Sequence, residues 1–346
     1  MRIERLDVSD RAATQACHEV VRAALAAEDP FGPPDSARTL RARLEHPHDP
    51  IEAWYVPDET GDDILGWFYL ELPAPENLDR ASLHLFVHPT SRRRGIGGEL
   101  LRHAAERAAA HERLVLSHWV HQGSAGEAFA ARAGSVPGLL DARRVLVLGK
   151  IPPGHDAALA AEAARAAAGY SLVSWVGRTP DEYVAGYAAM QEAMNDAPRD
   201  PGEEPLVWDI QRVRERIDDS RVLRGRHFYT LAALEVATGE MAAVTEVEID
   251  QENPEWGYQQ ITAVARPHRG HRLGMLVKTA MLDWLATAEP TLARIVTGNA
   301  AVNRYMITIN EALGYELLDP QVQFYELPVA DARGFPKRAA GAVAAG

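Results

Sequence analysis

Cysteine and long apolar runs are nearly absent from this sequence of 346 residues. Its single cysteine, Cys17, cannot form an internal disulfide, and the neighbouring Ala16, Val20 and Val21 predict a buried helical position for it. No run of about 18 apolar residues occurs, and the first residues lack the apolar core of a signal peptide. We therefore expect a cytoplasmic protein with neither a disulfide nor a membrane segment.

Lysine is also scarce, and the 49 Asp and Glu residues outnumber the 36 Lys and Arg residues. Lysine occurs three times, and the formal net charge is −13 at pH 7. A chain this acidic does not attract nucleic acids or anionic membranes at long range, so neither is expected as a partner. A cationic amine would be attracted, although many proteins are acidic only for solubility. No group of Cys, His or acidic residues has the spacing of a metal site, so no metal is expected.

The length of the chain suits two domains of about 150 residues each. The run Pro152-Pro153-Gly154 and the alanine-rich stretch that ends at Gly169 are typical of a linker that carries a helix. We predict an N-terminal domain at 1–150, a linker at 151–169, a C-terminal domain at 170–330 and a disordered tail at 331–346.

One pattern of strand, arginine-rich glycine loop and helix occurs twice, 177 positions apart. In the first copy Val87, Arg92 and Gly97 are spaced by five positions each, and the second copy repeats this spacing. The corresponding residues of the second copy are Val264, Arg269 and Gly274. A shared spacing across strand, loop and helix indicates a duplication.

Such loops bind phosphates because small residues let backbone N–H groups converge, while the next helix directs its positive N-terminal end to the same place. A single glycine-rich turn after a strand is common, but two in the same register are harder to dismiss. The residues expected to form the two pyrophosphate sites are Arg92, Arg93, Arg94, Gly95, Ile96, Gly97 and Gly98 in the first copy, and Arg269, Gly270, His271, Arg272, Leu273, Gly274 and Met275 in the second.

The first loop resembles motif A of the GCN5-related N-acetyltransferases (GNAT), in which Gln or Arg is followed by two residues, Gly, one residue, and Gly or Ala. Arg92, Gly95 and Gly97 match this motif in full. In the second copy the pattern departs at Arg272, which stands where the first glycine is expected. The resemblance covers most of the chain and is to the actinobacterial members with two tandem domains.

This resemblance implies an α/β (α+β) fold made of two tandem GNAT domains. Each would be a mixed, mostly antiparallel twisted sheet flanked by helices, with a splayed central strand pair. In this family the strand before the loop hydrogen-bonds the pantetheine arm of acetyl-CoA, the co-substrate. The resemblance assigns that role to the backbone of Phe86, Val87, Ala263 and Val264.

The segment from Gly298 to Tyr315 resembles motif B of the same family. In that motif an Asn after the strand contacts the pantetheine or the substrate. Asn299 and Asn303 are therefore the candidate cofactor ligands, and a helix cap is the alternative for either residue. The first copy has no such Asn pair.

Many family members carry a tyrosine four residues before the closing glycine, and this tyrosine is the general acid that protonates the departing thiolate. Here that position is Asn310 in the second copy and Ala130 in the first copy. An amide cannot protonate a departing thiolate. Tyr305, Tyr315 or solvent are the alternatives, and Tyr315 is also suited to packing in the core.

Acetyl transfer to an amine requires a neutral amine, so a base is expected near the motif strand. Glu246 lies on the preceding predicted strand, and Glu248 faces the same side because it is two residues away. A solvated surface role is the alternative for both. Glu71 occupies a loosely similar place in the first copy. Further groups there of a type that titrates near neutral pH are His84, His88, His118 and His121, and an ordinary structural role is the favoured alternative for each.

These features predict an acetyl-CoA-dependent N-acetyltransferase that acts by direct transfer on the primary amine of a small molecule, such as an amino sugar, an antibiotic or an amino acid derivative. The more complete Asn segment favours the C-terminal copy as the catalyst. The loss of both tyrosines favours the alternative, a non-catalytic acetyl-CoA-binding sensor or scaffold. Protein acetylation is a third, disfavoured interpretation. We expect a monomer or a homodimer.

Overall fold

The computed structural model describes residues 1–45, 49–61, 63–200 and 202–336. The chain divides into two compact units. The first unit contains Met1–Leu140 together with the chain from Pro320 onwards, and the second contains Asp141–Asp319. Among the described helices, none is both long and apolar enough to cross a membrane.

The first unit is built from short strands with helices before and after its central strand. Its elements are β1 (Glu4–Arg5), α1 (Arg11–Glu28), α2 (Ala37–Glu45), β2 (Ile51–Pro57), β3 (Ile64–Glu71), β4 (Arg80–Val87), α3 (Ile96–Ala110), β5 (Val115–His121), α4 (Ala125–Ala133) and the first part of β6 (Val136–Val147). The end of the chain adds β13 (Val322–Pro328) and α11 (Val329–Arg333).

The sheet of the first unit has the order β1-β2-β3-β4-β5-β13 and is antiparallel except for the β4–β5 pair. Side chains of β3 alternate between its two faces. Trp67 and Tyr69 pack with Cys17 of α1 on one face, whereas Phe68 and Leu70 pack against α3 on the other. The expected burial of Cys17 in a helix is therefore confirmed.

The second unit repeats this order of elements. It contains the rest of β6, α5 (His155–Ala166), β7 (Tyr170–Val176), α6 (Val184–Ala193), α7 (Ile210–Arg212), α8 (Asp219–Arg224), β8 (Arg226–Glu235), β9 (Met241–Asp250), β10 (Trp256–Val264), α9 (Leu273–Ala288), β11 (Arg294–Ala300), α10 (Arg304–Ala312) and β12 (Glu316–Leu317). A π-helical turn, Val213–Asp218, joins α7 to α8.

The sheet of the second unit has the order β7-β8-β9-β10-β11-β6, and β12 pairs with β6. Helix α9 covers one face through Val277 and Met281, and α6 covers the other through Val184 and Tyr187. Only the β10–β11 pair is parallel among the strand pairs that the structure describes in this unit.

The central parallel pair of each sheet separates after three residue pairs. Strands β4 and β5 are paired from Arg80 with Val115 to Ser82 with Ser117. Strands β10 and β11 are paired from Trp256 with Arg294 to Tyr258 with Val296. Each unit therefore has a gap between its central strands that begins at Leu83 and at Gln259, and the expected splayed pair is confirmed.

The end of the chain does not follow the predicted boundaries. Strand β13 pairs along its whole length with β5 of the first unit, from Val322 with His121 to Pro328 with Val115. Residues 331–346 were expected to be disordered, but Ala332 and Phe335 are buried against α3. Apolar side chains in this segment find a partner surface on α3, and the remainder of the predicted tail, 337–346, lies outside the described residues.

The predicted linker at 151–169 is also part of a folded unit. Ala163 of its helix α5, and Ala167 directly after that helix, are buried in the same core as α9. Their small side chains let the two helices approach closely. The structure therefore groups this segment with the second unit, whose first residue is Asp141 rather than a residue near 170.

Candidate active site

The two glycine loops adopt the same backbone conformation. Two positions in each loop have a positive φ angle: +65° at Arg93 and +89° at Gly95 in the first, and +92° at Gly270 and +54° at Arg272 in the second. Each loop therefore contains one glycine and one arginine at its two left-handed positions, in opposite order. The departure from the motif at Arg272 does not alter the course of the chain.

Each loop ends at the N-terminus of a helix whose first amide groups are directed out of the helix end. The first helical hydrogen bonds join Glu99 N–H to Gly95 O at 3.2 Å and Leu276 N–H to Arg272 O at 3.0 Å. The N–H groups of Ile96, Gly97 and Gly98, and of Leu273, Gly274 and Met275, precede these bonds. Such groups are suited to an anion, because the helix dipole favours negative charge there.

The arginine that opens each motif holds the loop against its own strand. Arg92 Nε donates to Val87 O at 3.2 Å, and Arg92 Nη2 lies 2.8 Å from Glu28 Oε1. In the second unit Arg269 Nε donates to Val264 O at 3.3 Å. These contacts hold the turn against its strand, and the phosphate-binding roles predicted for the two arginines stay predictions.

Asp196 pairs with Arg269 in the second unit, as Glu28 pairs with Arg92 in the first. Arg266 and Arg269 both donate hydrogen bonds to its carboxylate. The bonds from Arg266 and then from Arg269 lower the pKa of Asp196 to about 2, although the group is exposed. The second loop is therefore flanked by a carboxylate that remains charged at neutral pH.

The gap of the first unit is lined by the peptide groups of alternate β4 residues. The N–H of His88 donates to Leu65 O of β3 at 2.9 Å. Because hydrogen-bonded and non-hydrogen-bonded pairs alternate in an antiparallel ladder, Phe86 directs its N–H and C=O to β3, whereas Leu85 and Val87 direct theirs into the gap.

The same alternation holds in the second unit. Ala265 N–H donates to Ala242 O at 2.9 Å, so Ala263 uses its peptide groups on β9, and Thr262 and Val264 face the gap. The pantetheine contacts that were predicted for Phe86 and Ala263 are better placed on Leu85 and Thr262. The roles of Val87 and Val264 stay predictions.

A polar cluster lies beside the gap of the first unit. His84, two residues beyond the last β4–β5 pair, stacks on Tyr69 of β3 with ring centroids 4.2 Å apart and 3° between the planes. His84 Nε2 lies 3.8 Å from Glu71 Oε2. Arg43 of α2 donates to Tyr69 Oη at 3.1 Å, and its Nε lies 3.8 Å from Glu71 Oε1. The His84 side chain keeps 26% of its surface exposed.

Two neighbouring groups define the electrostatics of this cluster. Burial raises the pKa of Tyr69 to about 12, although Arg43 opposes this shift, so the phenol stays protonated at neutral pH. Burial also lowers the pKa of His118 on β5 to about 4, with a smaller contribution from His84. His118 is therefore neutral at neutral pH.

The strand position that corresponds to His84 is apolar in the second unit. Ile261 and Ala263 of β10 are buried under α6 and the π-helical turn, against Val184 and Val213. The place that His84 occupies in the first unit is thus filled by core packing. Titratable side chains on this face of the second unit include Glu246 of β9 and Arg221 of α8, which pair with each other beside Tyr187 of α6.

Glu246, the predicted general base, is buried in an ion pair. It pairs with Arg221 of α8 and accepts a hydrogen bond from Thr230 Oγ1 at 2.8 Å. Arg221 also donates to Tyr187 Oη at 3.0 Å. Glu248 pairs in the same way with Arg226. The surface role considered for these residues is wrong, since both are buried; a catalytic role of Glu246 stays a prediction that these contacts disfavour.

Two of the candidate Asn residues of the second unit, Asn299 and Asn310, are hydrogen-bonded to each other. Asn310 Nδ2 donates to Asn299 Oδ1 at 2.7 Å, and Asn310 is fully buried. Asn303 caps α10, where its Oδ1 accepts from Met306 N–H at 3.3 Å. Tyr315 is buried, and its pKa is raised by that burial. The cap considered for Asn303 is present, and the catalytic roles of Asn310 and Tyr315 stay predictions.

The sequence analysis did not predict that Tyr69, His84 and Arg43 form one cluster. His84 and Glu71 were noted singly, but the alternation of β3 and β4 around Tyr69 opposite His84 was a usable signal. Arg43 gave no signal, because its helix is joined to this site only by the fold.

The chain shares its fold with known acetyltransferases. Residues 18–134 match the acetyltransferase (GNAT) family. This stretch is therefore similar to a GNAT acetyltransferase domain. The matched stretch lies within the first unit and includes the complete motif A loop and the cluster around His84.

A tandem GNAT protein from the clavulanic acid biosynthesis pathway is similar over nearly the whole chain, with 29% identity and a TM-score of 0.78, covering 95% of this chain and 98% of that one. A GCN5-related N-acetyltransferase from Sphaerobacter thermophilus shares the fold at 14% identity, with a TM-score of 0.63 and 95% of each chain covered. The tandem GNAT fold is thus present in this protein.

A curated mycothiol acetyltransferase from Sanguibacter keddieii is 35% identical over 125 residues, which are 35% of this chain and 36% of that protein. The match therefore spans about a third of the relative.

Proposed function

We propose that this protein transfers an acetyl group from acetyl-CoA to the primary amine of a small molecule, and that the first unit carries the active site. The observation behind this assignment is that a complete motif A loop, an open strand gap and the titratable pair of His84 and Glu71 occur together in the first unit. In the second unit the corresponding face is filled by Ile261 and Ala263.

The first unit has groups that suit each part of acetyl-CoA. The N–H groups of Ile96, Gly97 and Gly98 suit the pyrophosphate. The gap-facing peptide groups of Leu85 and Val87 suit the amides of the pantetheine arm. Acetyl-CoA supplies the activated acyl group as a thioester, and the protein orients it.

His84 is the base that takes the proton from the amine. The amine nitrogen forms a bond to the thioester carbonyl carbon, the C–S bond breaks, the amine proton passes to His84 and the thiolate leaves. Glu71 faces the imidazole and stabilises the imidazolium, while the flat contact with Tyr69 fixes the ring orientation. Solvent protonates the thiolate, since Ala130 occupies the position of the usual tyrosine.

The charge around the base suits a cationic substrate. Glu71 lies beside His84, and Asp35, which lies 3.3 Å from His18 of α1, is near enough to contribute to the raised pKa of Tyr69. An incoming ammonium would be attracted to these carboxylates and would release one proton to water, and the resulting neutral amine gives its second proton to His84 during acyl transfer. The substrate class that fits is thus a small primary amine, as the sequence suggested.

Calorimetric titration of acetyl-CoA tests the binding half of this proposal. Gly97→Trp places a bulky side chain on the first turn of α3, and we expect it to abolish one binding site. Gly274→Trp is the matched change in the second unit and should leave that site intact. Loss of all binding in Gly274→Trp alone would contradict the assignment.

Thiol release in a panel of small primary amines tests the catalytic half. His84→Gln should lower kcat at neutral pH by about 100-fold, the usual contribution of a general base, with little change in acetyl-CoA affinity. His227→Gln, a half-exposed histidine of the second unit, is the control. Full activity in His84→Gln would make the assignment wrong.

A further inference from the structure

Lys278 of α9 is a buried lysine without an acidic partner. It retains 2% of its exposure, and its Nζ donates to Gln259 Oε1 at 2.9 Å and lies 5.2 Å from the centre of the Tyr315 ring. Among the described residues no carboxylate forms an ion pair with it. The corresponding residue of the first unit is Leu101, an ordinary member of the core.

The Lys278 amine lies where the gap of the second unit begins. Gln259 directly follows Tyr258, the last β10 residue paired with β11. Gln259 is itself fixed, because its Nε2 donates to Glu246 O at 2.6 Å and to Thr245 Oγ1 at 3.0 Å. The Oε1 atom of Gln259 therefore accepts the hydrogen bond from Lys278, and this bond holds the amine at the point where β10 and β11 separate.

The second loop and Lys278 belong to the same helix. Lys278 is five residues after Leu273, the first residue of α9, or about 7.5 Å along the helix axis. A thioester whose pyrophosphate lies on the amides of Leu273, Gly274 and Met275 would extend its arm along the gap towards this amine. The other side of the gap carries the buried Asn310, whose Oδ1 has no partner among the described residues.

Burial gives this lysine the properties of a nucleophile. Removal from water lowers the pKa of Lys278 to about 7, so a large share of the amine is neutral near neutral pH. A lysine serves the core poorly, because its burial costs free energy that the leucine of the first unit avoids. A structural role alone therefore does not account for it.

We propose that Lys278 is an acyl-acceptor site, at which the amine of this side chain takes an acyl group from a thioester held in the gap of the second unit. The Nζ lone pair forms a bond to the thioester carbonyl carbon, the C–S bond breaks, and the proton lost by the amine passes to the departing thiolate. The product is an N-acyl lysine and a free thiol. This inference rests on the proposed use of acetyl-CoA, but on the second loop rather than the first.

The small number of lysines makes the test direct, because Lys150 and Lys337 are the only other side-chain amines. The full chain is incubated with acetyl-CoA at neutral pH, and its intact mass and proteolytic peptides are analysed. We expect the mass of one acetyl group on Lys278. Lys150→Arg, at an exposed lysine, should acquire it, whereas Lys278→Met should not.

Two further variants separate this proposal from the proposed function. Gly274→Trp should slow acylation of Lys278 at least 10-fold without unfolding the protein. Gly97→Trp should remove thiol release with amines and leave acylation of Lys278 unchanged. Acetyl phosphate, which lacks the pantetheine arm and pyrophosphate, should acetylate Lys150 in preference to Lys278.

Three results would overturn the proposal: acetyl groups found only on the other amines, equal acylation of Lys278 in Gly274→Trp, or equal acylation by acetyl phosphate. If calorimetry detects no binding of acetyl-CoA to the protein, both this proposal and the proposed function are wrong.

Discussion

Gly95 and Arg272 occupy equivalent positions in the two loops and share a left-handed backbone, with φ angles of +89° and +54°. Glycine adopts this conformation without strain, whereas a residue with a Cβ atom is destabilised there. The second loop thus keeps its shape at a cost that the first avoids. The ion pair between Arg272 and Glu162, at 2.8 Å, is half-exposed and offsets little of it.

Gly95→Ala should therefore lower the free energy of unfolding by about 1 kcal/mol, because the new Cβ is strained at this φ. Arg272→Gly should raise it by up to about 1 kcal/mol. Urea denaturation measures both changes. Gly149→Ala is the control, since a Cβ there meets nothing within 4 Å and its φ is not positive. Equal effects of the two alanine variants would argue against backbone strain.

The sequence predicted those features that depend on nearby residues. The spacing of Val87, Arg92 and Gly97 located a strand, a loop and a helix, because each is specified within a few positions. The repeat of that spacing also gave two units with the same order of elements. The splayed strand pairs followed from resemblance and agree with the register of β4 with β5.

Pairings between distant segments could not be predicted in this way. Strand β13 completes the sheet of the first unit beside β5, about 200 positions away in the sequence, and no local pattern specifies that partner. Glu246 was assigned to catalysis because its strand precedes the motif strand. Nothing in that strand reveals that Glu246 pairs with Arg221. Buried ion pairs and stacked rings depend on which elements the fold brings into contact.

Phe335 should contribute strongly to the stability of the first unit. Its ring packs on α3, where a Cβ at Gly98 would lie 2.9 Å from Phe335 Cε1, and its carbonyl accepts a hydrogen bond from Arg102 at 3.1 Å. Phe335→Ala should lower the free energy of unfolding by about 3 kcal/mol, as for other buried aromatic residues. The matched control is Phe31→Ala, since Phe31 is 74% exposed. Similar midpoints for the two variants in denaturation would mean that the segment after β13 does not stabilise the unit.

Glu246→Gln should act on stability before it acts on chemistry. The change removes the carboxylate that pairs most closely with the buried Arg221 guanidinium and leaves Asp218, at 3.8 Å, as its counter-charge; loss of one partner of a buried pair costs about 3 kcal/mol. Thermal denaturation should reveal this loss, and Arg221→Met combined with Glu246→Gln should recover part of it. Glu162→Gln, at a half-exposed pair, is the control. An unchanged melting temperature together with lost acetyl transfer would instead support the catalytic role predicted for Glu246.

Glu52 should make the first unit less stable in acid. Arg107 donates two hydrogen bonds to this carboxylate, at 2.7 and 2.8 Å, and His111 Nε2 lies 2.8 Å from it. Despite its burial, these bonds lower the pKa of Glu52 to about 2. The unfolded chain, with a pKa of 4.5 at this carboxyl, binds more protons between these values, so stability falls as the pH falls through this window.

Glu52→Gln should accordingly destabilise the protein by about 2 kcal/mol at pH 7, less than the full shift implies because solvent screens part of the pair. The difference in free energy of unfolding between this variant and the wild type should shrink as the pH falls from about 4.5 towards about 2. In this range the Glu52 carboxylate of the unfolded wild type becomes protonated first, and that of the folded wild type follows near pH 2. Denaturation at pH 7 and at several acidic values measures it, with Glu59→Gln on an exposed turn as the control. A difference that stays constant with pH would mean that Glu52 stabilises the unit by packing and not by its charge.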